Sequence, residues 1–267
     1  MRLKISHETR YKYSDPVSYL LQQVRLTPKR DENQKVLNWE TNVEGGKRET
    51  EFFDQFNNHV ILFSIEPQSD EIAIVSHGEV DVEDKAGVVT ERGGFAPRWL
   101  FQRPTELTKP GKGIRRLAKS VEIKDDNKIE LLHELSRTIR EAVTYKVGST
   151  DASTSAEDAL ELGSGVCQDH AHLLISAARY LGFPARYVSG YLMMNDRVNQ
   201  DASHAWAEIF IEGLGWTGFD VSNGISPDDR YVRLATGLDY KDAAPISGMR
   251  IGASAESLDV SIEVQQQ

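Results

Sequence analysis

Apolar and polar residues alternate from the first positions of the chain. Leu3, Ile5, His7, Thr9, Tyr11 and Tyr13 fall on one face of a two-residue period, and Arg2, Lys4, Ser6, Glu8, Arg10 and Lys12 fall on the other. That pattern predicts a strand with one buried face. Apolar runs at Val60 to Ile65, Ile72 to Val75 and Val80 to Val82 predict further strands. Turn-forming residues at Asn57-Asn58, Pro67-Gln68-Ser69-Asp70 and Asp84-Lys85-Ala86-Gly87 separate them. Closely spaced strands with turns between them predict an antiparallel sandwich over residues 1–105. Pro97, Pro104, Pro110, Gly93, Gly94 and Gly111 cluster next, and a linker is expected over residues 106–125.

The period then changes. Ile129, Leu132, Leu135, Ile139 and Val143 recur at helical spacing behind Asn127, with Glu130 three residues after it as in a capping box. A short helix follows from Ser155 to Leu162, ended by Gly163-Ser164-Gly165. A longer one carries Ala171, Leu174, Ile175, Ala178 and Leu181 and stops at Gly182 and Pro184. Strands are expected at Ala185 to Leu192, His204 to Ile211 and Trp216 to Val221, the last two joined as a hairpin through Glu212-Gly213-Leu214-Gly215. Residues 225–250 read as loop, and Leu258 to Val264 as a closing strand. Residues 126–267 are thus expected to form a second unit.

Composition narrows the function. The chain has 267 residues, 31 basic against 41 acidic, for a formal charge of -10. Such a chain gains nothing from counterion release on nucleic acid, so none is expected as a partner. The N-terminal residues lack an apolar signal-peptide core, and no apolar run is long enough to span a bilayer. A cytoplasmic protein without membrane contact is the expectation, its oligomeric state unreadable.

The chain contains one cysteine, Cys167, which forms no internal disulfide. It falls at the first turn of the longer helix, after a glycine-rich turn. A helix N-terminus and a neighbouring imidazolium both favour the thiolate, and the first N–H groups of such a helix can receive an oxyanion. His170 and His172 lie further down the same helix, poorly aimed at the sulfur. His204 opens a strand after a polar loop and can face the thiol across a cleft, as in papain-like enzymes. Folding the hairpin over 212–215 brings Asp220 back towards His204. Glu208 is the rival carboxylate, but four residues along a strand put it roughly 13 Å from His204. Asp169, His170, His172 and Cys167 crowd one segment, yet H-x-H on a helix points its rings apart, and no metal is expected. His7, His59 and His77 are isolated and read as surface or packing histidines.

The stretches GVCQDHAHLLISAARYLGFPARYVSGYL and SHAWAEIFIEGLGWTGFDVSNG resemble the core of the bacterial transglutaminase-like superfamily. The N-terminal strands resemble the β domain that precedes this core in many bacterial members. The resemblance implies an α+β fold: an N-terminal antiparallel β-sandwich-like domain, then a papain-like, transglutaminase-like catalytic core whose helix-borne Cys faces an antiparallel sheet. By position it makes Cys167 the nucleophile, His204 the base and Asp220 the orienting acid. Tyr145 falls where relatives carry an aromatic lining the cleft. Trp206 and Trp216 either line a groove or are core aromatics of the hairpin. Tyr145, Gln168 and Trp206 are assigned to the substrate and oxyanion lining. The chain departs from the family's pattern at His170, where relatives usually carry an aromatic, and at Val221-Ser222, where they often read Pro-Thr.

The expected function is a thiol hydrolase that cleaves amide bonds of a peptide or protein through an acyl-enzyme, without a cofactor. An acyl transferase that hands the acyl group to an amine shares the first half-reaction. Hydrolysis is preferred because no D-x-D-x-D calcium loop is present. A non-catalytic binding module on the same fold is the other alternative.

Overall fold

The computed structural model describes residues 1–14, 19–65, 70–90, 95–121, 127–251 and 256–267. The expected turn residues Pro67 to Ser69, together with Gly93 and Gly94, lie outside the described residues. The N-terminal half contains β1 (Arg2–Tyr13), β2 (Tyr19–Val24), β3 (Gln34–Glu44), β4 (Gly46–Phe53), β5 (His59–Ile65), β6 (Glu71–Val82) and the short β7 (Val88–Val89). Then come α1 (Lys112–Ser120), α2 (Lys128–Ala142), β8 (Thr144–Tyr145), α3 (Ala156–Leu162), β9 (Ser164–Gly165) and α4 (Cys167–Tyr180). The chain closes with β10 (Ala185–Leu192), β11 (Asn199–Gln200), β12 (His204–Ile211), β13 (Gly215–Phe219), β14 (Tyr231–Gly237), α5 (Tyr240–Ala243), β15 (Ile246–Ile251) and β16 (Glu256–Gln266).

The alternation in β1 has the expected outcome. Leu3, Ile5, His7 and Thr9 are buried, and Arg2 and Lys4 are exposed. One antiparallel sheet runs β11–β16–β1–β6–β3 and another runs β15–β2–β5–β4. Leu3, Ile5, Ile74 and Val80 of the first pack against Val24, Ile61 and Phe63 of the second. Asn57, at φ 59°, supplies a left-handed turn before β5.

The second half is built on a sheet ordered β14–β10–β12–β13–β7, with α4 packed across β10 and β12. Ala171, Leu174, Ile175 and Ala178 of α4 are buried among Ala185, Tyr187, Ala207 and Ile209 of the sheet. The expected caps form: the Asn127 side chain accepts from Glu130 N–H at the start of α2, and Ser155 accepts from Asp158 N–H at the start of α3. Among the described residues, no helix is long and apolar enough to cross a membrane.

The two halves interlock more than the expected division at residues 106–125 allows. The region expected as a linker contains α1, whose Ile114 and Ala118 are buried against α4. The N–H groups of Gly111, Gly113 and Ile114 donate to the Glu157 carboxylate of α3 at 2.9, 2.5 and 3.1 Å, so this segment is anchored to the helical layer. The closing strand, assigned to the second unit, pairs with β1 from Leu3↔Gln266 to Tyr13↔Glu256. β15 likewise pairs with β2. Residues 225–250, expected as loop, form β14, α5 and β15. Pairings that join the two ends of a chain leave no local signature, because the partner that makes a strand favourable is remote in sequence.

The sandwich core is continuous with Tyr191 of β10 and with Val232 and Leu234 of β14. His7 illustrates this junction. Its Nδ1 lies 2.7 Å from Tyr191 Oη and its Nε2 2.9 Å from Thr9 Oγ1, and burial pushes the ring down to about 4. The unfolded ring takes up a proton near 6.5, so this contribution is complete above that pH and is lost as pH falls towards 4. The loss from this residue reaches about 2 kcal/mol by about pH 5. Thermal unfolding of the wild type is expected to fall more steeply with acid than that of His7→Gln; parallel curves would remove the assignment.

Candidate active site

A left-handed glycine, a short parallel ladder and a helix start place the thiol. Gly163, at φ 66°, ends α3. Ser164 and Gly165 then pair with Thr144 and Tyr145. Gly165 is required for space: a Cβ there would lie 2.7 Å from the Asp169 side chain. Asp169 fills that space because its Oδ2 accepts from Val166 N–H at 2.7 Å and from Thr150 Oγ1 at 2.6 Å. The carboxylate thereby closes the start of α4 and favours its N-terminus electrostatically. Cys167 is the first residue of α4, at the helix start expected from the sequence, and is half-buried.

His204 begins β12 and is 8% exposed, while Asp220 follows β13 and is 1% exposed. The ladder pairs Ala207 with Phe219, which carries Asp220 back to the His204 end of the hairpin. His204 Nε2 donates to Asp220 Oδ2 at 2.6 Å. That leaves Nδ1 to face Cys167, whose side chain is near enough to raise the ring's proton affinity. Burial opposes charge on the ring. The hydrogen bond to Asp220, then the nearby Cys167 side chain, and the negative charge of both partners outweigh it and raise His204 to about 10. The imidazolium is therefore the favoured form at neutral pH.

Asp220 is held from several sides. Its backbone N–H donates to Ile225 O at 2.9 Å and its C=O accepts from Gly224 N–H at 2.8 Å, forming a tight loop in which Gly224 adopts φ 68°. Oδ2 also accepts from Asn223 Nδ2 at 2.7 Å and from Tyr231 Oη at 2.8 Å. Burial works against the carboxylate, but these donors and the His204 charge keep it below its ordinary range.

The remaining expected residues divide. Tyr145 is 52% exposed, and its hydroxyl is raised by burial and then by the nearby Cys167 charge; it stands on the rim beside the sulfur. Gln168 is half-buried on the first turn of α4. Trp206 does not line the cleft. It is 1% exposed and sits in a core cluster with Val188, Leu192 and Tyr231, with the His204 ring 6.1 Å away. Residues 204, 206 and 208 share a strand face, and at Trp206 that face is covered by β10 and β14. Trp216 stacks under Arg186 at 4.1 Å and against Phe101 and Phe210. Glu208 points into a buried ion-pair group with Arg186 and Arg233.

The two departures from the family pattern meet each other. His170 Nδ1 lies 2.8 Å from Ser222 Oγ, and its Nε2 lies 2.9 Å from Val143 O. The carbonyl takes the Nε2 proton, so Nδ1 accepts from the serine and the ring is neutral, with burial lowering its proton affinity. His170 thus ties the loop after Asp220 to the end of α2. His172 is fully buried, and its Nε2 accepts from Tyr240 N–H at 3.1 Å. Among the described residues, no group of three or more His, Cys, Asp and Glu side chains is arranged to hold a metal ion.

Asn223 and Tyr231 escaped the sequence reading. Tyr231 lies in the stretch read as loop; the strand it opens is buried on both faces, so no polar–apolar alternation marks it.

Residues 115–221 match the model of the Transglutaminase-like superfamily, and residues 3–81 match that of the Bacterial transglutaminase-like N-terminal region. An uncharacterized protein of Mycobacterium leprae is 29% identical over 276 residues, covering 98% of each chain. One of Mycobacterium tuberculosis is 29% identical over 291 residues, covering 98% of this chain and 92% of its own. A crystal structure from Cytophaga hutchinsonii, described as that of a candidate cysteine protease, is similar with a TM-score of 0.78 at 25% identity, covering all of this chain and 91% of that one. The fold is one used by thiol enzymes. The chain thus carries a transglutaminase-like superfamily core over residues 115–221, preceded by a bacterial transglutaminase-like N-terminal region over residues 3–81.

Proposed function

We propose that the chain is a thiol hydrolase that cleaves amide bonds, peptide or isopeptide, through an acyl-enzyme at Cys167. The observation that carries this reading is the position of His204 between Asp220, at 2.6 Å, and Cys167. The description of the Cytophaga hutchinsonii structure as a candidate cysteine protease supports the same class. The thiolate attacks the amide carbonyl, forming the S–C bond and an oxyanion. First-turn N–H groups at Cys167 and Gln168 have no acceptor within the helix and are suited to receive that oxyanion. His204 gives its Nδ1 proton to the leaving nitrogen as the C–N bond breaks. A water molecule then attacks the thioester and passes a proton to Nδ1, which releases the acid and restores the ion pair. Throughout, the Nε2 proton stays on His204, facing Asp220. Tyr145 forms part of the substrate wall.

The test offers a panel of tagged peptide amides, with and without a labelled primary amine, to the wild type and to Cys167→Ala. The wild type is expected to release free acid, and the variant to fall at least about 10³-fold below it. Label incorporation outpacing acid release would replace hydrolysis by amine transfer. Alkylation of Cys167 by iodoacetamide no faster than that of a free thiol near neutral pH, together with no turnover, would overturn the enzymatic reading.

A further inference from the structure

Tyr231 belongs to β14, which lies at the edge of the catalytic sheet beside β10. Two amide side chains from the N-terminal half hold that edge. Gln34 accepts from Arg233 N–H at 2.8 Å through Oε1 and donates through Nε2 to Arg233 O at 2.9 Å. Asn58 repeats the pattern at Thr236, accepting from its N–H at 2.8 Å and donating to its C=O at 2.8 Å. Gln34 is 2% exposed and Asn58 is fully buried. Each amide satisfies both backbone groups that an edge strand otherwise leaves unpaired. β14 is therefore fixed in place by the N-terminal half, and Tyr231 at its start is fixed with it.

The Tyr231 ring packs at 86° against Trp206, centroids 5.4 Å apart, and stands 6.0 Å from the His204 ring. Its hydroxyl donates to Asp220 Oδ2, the oxygen that also faces His204 Nε2. We infer that Tyr231 is a positioning residue for the proposed triad, its hydroxyl fixing the Asp220 carboxylate and keeping it ionised so that His204 retains its Nε2 proton. This inference rests on the thiol-hydrolase reading. The other charged and titratable groups around the pair include, among the described residues, His204 on β12, Cys167, Asp169 and His170 on α4, Arg140 on α2, Tyr145 on β8, and Asp228 and Arg230 in the loop before β14. None of these replaces the donor that Tyr231 supplies.

The N-terminal half thereby has a role in the chemistry. Through Gln34 and Asn58 it sets β14, through Tyr231 it sets Asp220, and through Asp220 it sets the imidazole. Tyr231→Phe keeps the ring against Trp206 and removes only the hydroxyl. Tyr191→Phe is the matched control. It also deletes a buried tyrosine hydroxyl, one bound to His7 at 2.7 Å on the neighbouring strand and not to the triad.

The readout is the pH dependence of Cys167 alkylation by iodoacetamide, taken with the melting temperature of each protein. Tyr231→Phe is expected to move the acid limb upward by about one pH unit. It is also expected to lower reactivity on that limb about tenfold, with the profile of Tyr191→Phe unchanged. A Tyr231→Phe profile that superposes on the wild type, or an equal shift in both variants, overturns the inference. If the wild-type thiol reacts no faster than a free thiol, the hydrolase reading itself fails, and the two failures are thereby distinguished.

Discussion

Replacing Asp220 by asparagine is expected to slow amide turnover by about 10³- to 10⁴-fold while leaving the protein folded. The carboxylate does two things for His204: it accepts the Nε2 proton at 2.6 Å, and its charge helps hold the ring as imidazolium. An asparagine side chain has nearly the same shape, and its carbonyl can still accept from Asn223 and Tyr231. It cannot satisfy these donors and His204 Nε2–H with one oxygen and no charge. If its NH₂ turns towards Nε2, the histidine proton must sit on Nδ1, facing the sulfur, and the ring is no longer free to take the thiol proton. Either arrangement removes the charge that favours the imidazolium inside a buried site. Thermal unfolding and peptide-amide turnover, measured on the same preparation, check this. A loss under about tenfold would mean that His204 is oriented by something other than Asp220.

Elements defined by their own periodicity were legible in the sequence. β1 alternates, α2 begins at Asn127, and α4 carries its apolar stripe behind a glycine turn. β1 and α2 bury most of the face their pattern requires, Ile129 of α2 staying exposed, and α4 is buried on every side from Asp169 to Arg179. The meeting of Cys167, His204 and Asp220 was legible because helix start, loop and hairpin each leave a local signal, and the turn at 212–215 sets the register. Illegible features depend on remote partners. β16 was legible as a strand, but its pairing with β1 at the opposite end of the chain was not. β14 is buried on both faces and carries no alternation to read, and its edge is completed by Gln34 and Asn58, some 200 and 180 residues away. Trp206, read as part of the substrate lining, shares a strand face with His204, yet it is buried in a core cluster one pair further along. Gly190 makes that burial possible, since a Cβ there would meet the Trp206 ring at 2.4 Å. His170 and Ser222 each departed from the family pattern, and only the fold reveals that they do so as a bonded pair.

The largest stability effect is expected at Glu208, the carboxylate that lost to Asp220 as the partner of His204. It is fully buried, and Arg186 faces it directly across the β10–β12 ladder. Arg186 Nη2 lies 2.6 Å from Oε2, Arg233 Nε lies 2.7 Å from Oε1, and Arg233 Nη1 reaches Asp31 Oδ2 at 2.6 Å. Two anions and two cations therefore share one buried site, and their formal charges cancel. Glu208→Ala leaves a buried net positive charge, and is expected to cost about 3–5 kcal/mol. For a chain of this size that corresponds to a fall of roughly 10 °C in Tm. The double variant Arg186→Met/Glu208→Leu removes one charge of each sign and leaves the Asp31–Arg233 pair intact. It is expected to unfold at a higher temperature than Glu208→Ala, although it changes more atoms, because charge balance rather than the number of contacts sets the cost. A double variant less stable than the single one would show instead that Arg186 contributes mainly through its packing on Trp216.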